Sequence, residues 1–157
     1  MSISNHAAAA KLIRAELKKH GISGTVRAKS YAGGSSVTVS LADELPATAA
    51  LVRGFTGRFQ YGHFDGMSDM YVYSNSRDDL PQVGFIFVNN SYSDEVQQAA
   101  WDWCKSYWAD MEDAPASYND AWQHRTPHGM SGRDMLNRAL SGTDSGFWFA
   151  RKPRLAA

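Results

Sequence analysis

The chain of 157 residues has a single cysteine, Cys104, so it contains no internal disulfide and is not a disulfide-stapled scaffold. A reducing compartment suits it. Long apolar runs are missing too: none approaches the roughly 18 residues that a membrane-crossing helix needs. The opening "MSISNHAAAAKLIRAELKK" lacks the order of charges and apolar core of a signal peptide, and the expected location is the cytoplasm. Several motifs of known chemistry are absent. There is no H-E-x-x-H, no cysteine pair, no G-x-S-x-G and no EF-hand spacing of oxygen ligands. "AGGSS" lacks the lysine of a phosphate-binding loop. His124 and His128 stand four apart, but Pro127 between them argues against a helix that would aim both at a zinc ion. Neither internal repeats nor low-complexity tracts occur.

Net charge is also absent, with 16 Lys/Arg against 16 Asp/Glu, but the balance hides a pattern. Residues 1–60 hold eight basic and three acidic side chains, residues 61–120 two and eleven, and residues 121–157 six and two. Either the surface carries a basic and an acidic face, or the segments interleave in space and the field cancels.

The length suits a core that folds without staples. Residues 4–19 predict a helix with Leu12, Ile13 and Leu17 inward, capped by Ser4 or Asn5 and ended by Gly21. "GTVRAKSY" and "SSVTVSL" alternate with period two, as half-buried strands do, and Gly33 and Gly34 make a turn between them through positive φ. One face of the pair is apolar. The other presents Arg27, Lys29 and Tyr31 with the hydroxyls of Ser36, Thr38 and Ser40. A second helix follows Pro46, with Leu51 and Phe55 inward. "RFQYGHF" and "MSDMYVYS" form a second hairpin turning at Asp65-Gly66. "VGFIFVNN", a continuous apolar run, predicts a strand buried on both faces.

Ser93 caps a helix running to about residue 112, whose Trp103 and Tyr107 are expected to pack on the sheet through Val88 or Ile86. Trp101 and Trp108 then need another cover, either Phe147, Trp148 and Phe149 of the tail or a second copy of the chain. Residues 113–129 read as a surface linker and "SGRDMLNRALSG" as a short helix capped by Ser131. "GFWFARKP" reads as a last strand or an apolar clip. The expected architecture is α+β: a mainly antiparallel sheet with helices on one side, in the order α-β-β-α-(β-β)-β-α, followed by an α-β appendix. The domain spans residues 1–112, and residues 113–157 pack back on it.

His63, Asp65 and Asp69 cluster around a turn and are candidate metal ligands or an enzyme centre. The Asp-Gly turn also uses Asp65 for backbone reasons alone. Cys104, mid-helix among tryptophans, reads as an inert buried thiol. The expectation is no metal, no cofactor and no enzyme.

"VRAKSYAGGSSVTVS", "YGHFDGMSDMYVYSN" and "FIFVNNSYSDE" together resemble a large polyvalent protein associated domain, over roughly residues 8–110. The matching positions are Lys29, Ser30, Tyr31, Gly33, Gly34, Ser35, Ser36, Phe64, Asp65, Gly66, Met67, Asp69 and Tyr71. The resemblance implies a mobile-element context, in a phage, plasmid or integrative element, and no established catalytic residues. Each motif is a glycine hairpin. If they lie side by side, Asp65 and Asp69 come near Arg27 and Lys29. The binding candidates are these positions apart from Ser30, together with Arg27 and His63. The expected partner is a host-defence protein or nucleoprotein that the chain inhibits. The alternatives are nucleic acid on the basic sheet face and a small enzyme centred on His63 and Asp65. The chain is expected to be a monomer or a homodimer.

Overall fold

The computed structural model describes residues 4–108, 111–142 and 146–150, the side chains of 149 and 150 excepted. The fold is α+β, as expected. It comprises two compact units, one of residues 1–44 and 48–91, the other of residues 45–47 and 92–157.

In the first unit, α1 (Asn5–Lys19) ends where Gly21 takes φ +66°. Strands β1 (Thr25–Tyr31) and β2 (Gly34–Ala42) pair antiparallel, with Tyr31 opposite Gly34. Only Gly33 adopts positive φ in the two-residue loop; Gly34 is strand, not turn. After α2 (Pro46–Thr56) come β3 (His63–Asp65) and β4 (Met70–Val72), a separate two-stranded ribbon, and then β5 (Phe85–Ser91). The larger sheet has the order β1-β2-β5, with β5 parallel to β2.

One face of this sheet closes the core. Val26, Val37, Val39 and Leu41 are buried with Ala9, Ala10, Ile13 and Leu17 of α1 and with Ala49 and Val52 of α2. The Arg14 guanidinium donates to the Val26 carbonyl at 2.6 Å and ties α1 to the edge strand. Some expected core residues lie outside it. Leu12 is 40% and Leu51 49% exposed, because each sits one position off its helix's buried stripe. Ala28 and Ser30 are exposed as well, on an edge strand. Strand β5 corrects a larger expectation: it is an edge strand, and Phe87 is 49% exposed. Its continuous apolar run reflects one face on the core and one open face that carries aromatic rings.

The second unit has its own core. Ser93 accepts a hydrogen bond from the Val96 N–H and caps α3 (Asp94–Tyr107). The buried stripe of α3 is Val96, Ala100, Trp101 and Cys104. It packs with Met135, Leu136, Ala139 and Leu140 of α4 (Gly132–Ser141), itself capped by Ser131. Trp101, which needed a cover, is fully buried, whereas Tyr107, expected in the core, is 64% exposed. The partner α4 selects the stripe, and periodicity alone does not identify the partner. The expected linker is a packed segment. It holds a 3-10 run at Tyr118–Gln123 with Ala121 buried, and the Pro115 carbonyl accepts the Trp101 indole N–H at 2.7 Å. The tail is α5 (Gly146–Ala150), a helix rather than the expected strand. Phe147 is buried in the same core, Trp148 packs against it, and the side chain of Phe149 and residues 151–153 lie outside the described residues. Among the described residues no helix is long and apolar enough to cross a membrane.

Trp101→Ala is expected to cost about 3–5 kcal/mol, as for a buried large aromatic. Tyr107→Ala should cost less, about 0.5–1.5 kcal/mol, because the exposed ring loses only its stacking on Trp103 and edge contact with Trp108. Urea denaturation of both variants checks the assignment.

Candidate functional site

The β3–β4 turn is built by its own side chains. The Asp65 carboxylate accepts from the Met67 N–H at 2.9 Å and from the Ser68 hydroxyl at 2.7 Å, an Asx-type turn. The positive φ falls on Asp69, at +53°, and not on Gly66, whose position leaves open space for a Cβ. Gly62 is the glycine this hairpin requires, because a Cβ there would collide with the Val72 carbonyl. The hydrogen bonds from Ser68 and then from Met67 hold the Asp65 carboxyl below its ordinary 3.8. His63 Nδ1 lies 3.0 Å from the Ser74 hydroxyl. Among the described residues, no three His, Cys, Asp or Glu side chains gather as a metal site requires.

The expected pairing of Asp65 and Asp69 with Arg27 and Lys29 does not form. The ion pairs among the described residues are Glu16 with Arg58 and His20, Arg77 with Asp79, and Asp102 with Lys105. What joins the two glycine motifs is Gly84. Its N–H donates to the Ser35 carbonyl at 3.1 Å, and its carbonyl accepts the Tyr71 hydroxyl at 2.5 Å. A Cβ at Gly84 would stand 3.0 Å from the Tyr61 hydroxyl. Both motifs thus converge on the residue that leads into β5, through backbone and a tyrosine rather than through charge.

The register then sets out the open sheet face. Lys29 lies opposite Ser36, and Ser36 opposite Phe85; Arg27 lies opposite Thr38, and Thr38 opposite Phe87. Each row runs cation, hydroxyl residue, aromatic ring. Arg27 and Lys29 are exposed, Thr38 is half-buried, and Ser36 is buried at 8% exposure, so its hydroxyl does not offer the surface contact expected of it. The rings of Phe85 and Phe87 are near parallel, 6.1 Å apart between centroids. The rings of Tyr71 and Phe85 meet edge to face with centroids 5.4 Å apart, and Tyr73 stacks on Tyr61 at 5.4 Å. Tyr31 is 42% exposed, and its ring covers Gly34, where a Cβ would approach to 2.9 Å. Burial, and then the neighbouring Tyr73 and Tyr31, push the Tyr61 hydroxyl above its ordinary 10. Burial, and then the neighbouring Tyr61, raise the Tyr71 hydroxyl likewise, so Tyr61 and Tyr71 are neutral at physiological pH.

A family profile for large polyvalent protein associated domain 29 matches residues 4–93. The chain belongs to that family. No curated protein and no solved structure matches it. The family match covers α1 to β5 and ends at the cap of α3, short of the residue 110 that the motifs suggested. The polyvalent-associated region therefore coincides with the first unit, and both glycine motifs and the rows they organise lie within it.

Of the sequence candidates, Arg27, Lys29, Tyr31, Gly34, Ser35, Ser36 and Tyr71 gather on or beneath this face. Gly33 serves the β1–β2 loop. His63 lines a cleft along β5 with Arg53, Ser74, Phe87 and Asn89. Phe64, Asp65, Gly66, Met67 and Asp69 form the separate hairpin. Sequence reading missed Tyr61, Tyr73, Phe85 and Phe87. The signal was the i, i+2 aromatic spacing of "YVY" and "FIF", which puts both rings of each pair on one strand face.

Ser68→Ala should raise the Asp65 pKa toward 3.8, read by carboxyl-carbon NMR titration. The sign follows from the depressed value: the Asp65 contribution is present above the ordinary pKa and is lost as pH falls through the folded one. In the variant the contribution is smaller and its loss is complete at higher pH.

Proposed function

We propose that the chain is a non-enzymatic, cytoplasmic binding module of a mobile-element protein, and that it holds nucleic acid on the open face of the β1-β2-β5 sheet. The observation that carries this reading is the pair of rows Lys29–Ser36–Phe85 and Arg27–Thr38–Phe87. A cation suits a phosphate, and a ring open to water, as Phe87 is and half-buried Phe85 is in part, suits a base. The charge asymmetry of the linear sequence bears less weight, since the first unit alone holds nine Lys/Arg and seven Asp/Glu. A non-enzymatic role fits the candidate catalytic groups. The Cys104 thiol is buried and pushed up to about 12 by desolvation, and Asp65 is engaged by its own turn.

A second reading, inhibition of a host-defence protein or nucleoprotein, is favoured by the hairpin surface. Met70 and Val72, which share one face of the ribbon, are 62% and 38% exposed, and Met67 at the turn is 97% exposed; exposed apolar side chains of this kind mark protein contacts.

Titration of the full chain with mixed nucleic acid at several salt concentrations tests the first reading. Affinity should fall with salt, and Arg27→Ala and Lys29→Ala should each weaken binding and lower the log–log slope by about one. Absence of binding even at low salt would remove this reading and leave the protein-directed one.

A further inference from the structure

Resting on the nucleic-acid reading, we propose that the ligand is single-stranded, with unpaired bases stacked on Phe85, Phe87 and Tyr73 and the backbone carried past Lys29 and Arg27. The argument is one of spacing. Successive rows on a strand face are two residues apart, about 6.6 Å at ~3.3 Å per residue. The ring centroids of Phe85 and Phe87 agree, at 6.1 Å. Bases in a duplex follow one another at about 3.4 Å along each strand, with their faces covered by their neighbours. A duplex therefore cannot lay one base on each ring, whereas an unstacked strand can.

The same two rows place a cation on the far side of the sheet from each ring. The strand order β1-β2-β5 sets them two inter-strand spacings apart, about 10 Å. That separation, bridged by a flexible Lys or Arg side chain, suits a base on one edge and its phosphate toward the other. The central row is small or recessed: Gly34 has no side chain, Ser36 is buried and Thr38 is half-buried. Nothing tall on β2 stands between cation and ring. Tyr73, 67% exposed and stacked on Tyr61, continues the aromatic surface beyond Phe85 through Tyr71. Stacking of this kind tolerates any base and does not depend on the sugar, so DNA and RNA share the chemistry.

The test is fluorescence anisotropy with the full chain and four labelled probes: a short oligothymidine, a short oligouridine, and a DNA and an RNA duplex of similar length. The expected result is tighter binding of at least one single strand than of its duplex. Phe87→Ala and Tyr73→Ala should each weaken single-strand binding about 5- to 150-fold, the span that loss of one stacked base gives. Phe87→Tyr, which keeps a ring, should retain most of the affinity. Both positions are open to solvent, and circular dichroism of the variants verifies the fold. The two single-strand arms distinguish DNA from RNA. Duplex binding as tight as single-strand binding, or alanine variants within about twofold of wild type, would overturn the single-strand proposal while leaving charge-driven binding intact. Absence of binding to all four probes would overturn both.

Discussion

Gly84 is where the first unit is assembled. Its N–H is given to Ser35 at the start of β2, its carbonyl takes the Tyr71 hydroxyl from the β3–β4 ribbon, and the space a side chain would fill is occupied by Tyr61. Long-range parallel pairing is costly to form because the intervening chain must close first. Here residues 43–84 lie between the paired strands. The Ser35–Gly84 hydrogen bond fixes where β5 begins against β2, and hence that Phe85 meets Ser36 and Phe87 meets Thr38. A slip of one residue would turn both phenylalanines into the core and expose Ile86 and Val88. The same contact therefore determines the packing of one face and the content of the other.

That other face has a cost. Phe87, Tyr73 and Tyr31 leave a good part of their rings in water, although each would contribute more to stability if buried. The core does not need them, since α1 and α2 already cover the apolar face. The ring cluster is also held in place. Tyr71 is fixed by its hydrogen bond to Gly84 and by edge contacts with Tyr61, Tyr73 and Phe85, so the surface is ordered before any ligand arrives. Preorganised aromatic area with few rotatable bonds loses little entropy on binding.

Much of this was legible in the sequence, for reasons that differ by element. Period-two alternation located β1 and β2 and assigned Arg27, Lys29 and Tyr31 to one face, because pairing with a single neighbour and one covered face leaves a clean pattern. Ser93 and Ser131 marked their helix starts, since capping is a local hydrogen bond between residues close in sequence. Strand β5 was misread because "GFIFV" looks the same whether its second face is buried or aromatic and exposed. The stripe of α3 was misread because its partner, α4, is about 30 residues away and nothing local specifies it. The hairpin was located, but its turn is residues 66–69 with Asp65 paired in β3, its strands are shorter than expected, with 3-10 helix at Gly57–Phe59, and its glycine roles were exchanged. Gly62 is constrained by a cross-strand carbonyl that spacing does not reveal, whereas Asp69 supplies the left-handed residue. The ion pairing imagined between the two motifs rested on charge alone. Their actual link is through backbone groups, which every residue carries and no sequence pattern marks.

The central claim is that the register anchored at Gly84 creates a surface for unpaired bases, and backbone amide NMR of the full chain during titration with oligothymidine tests it most directly. The account predicts shifts concentrated at residues 27–31, 36–38, 71–73 and 84–87, with α1 and the residues of the second unit unmoved. Shifts confined to α1, to the 64–69 hairpin or to the second unit, or no shifts at low salt, would contradict it.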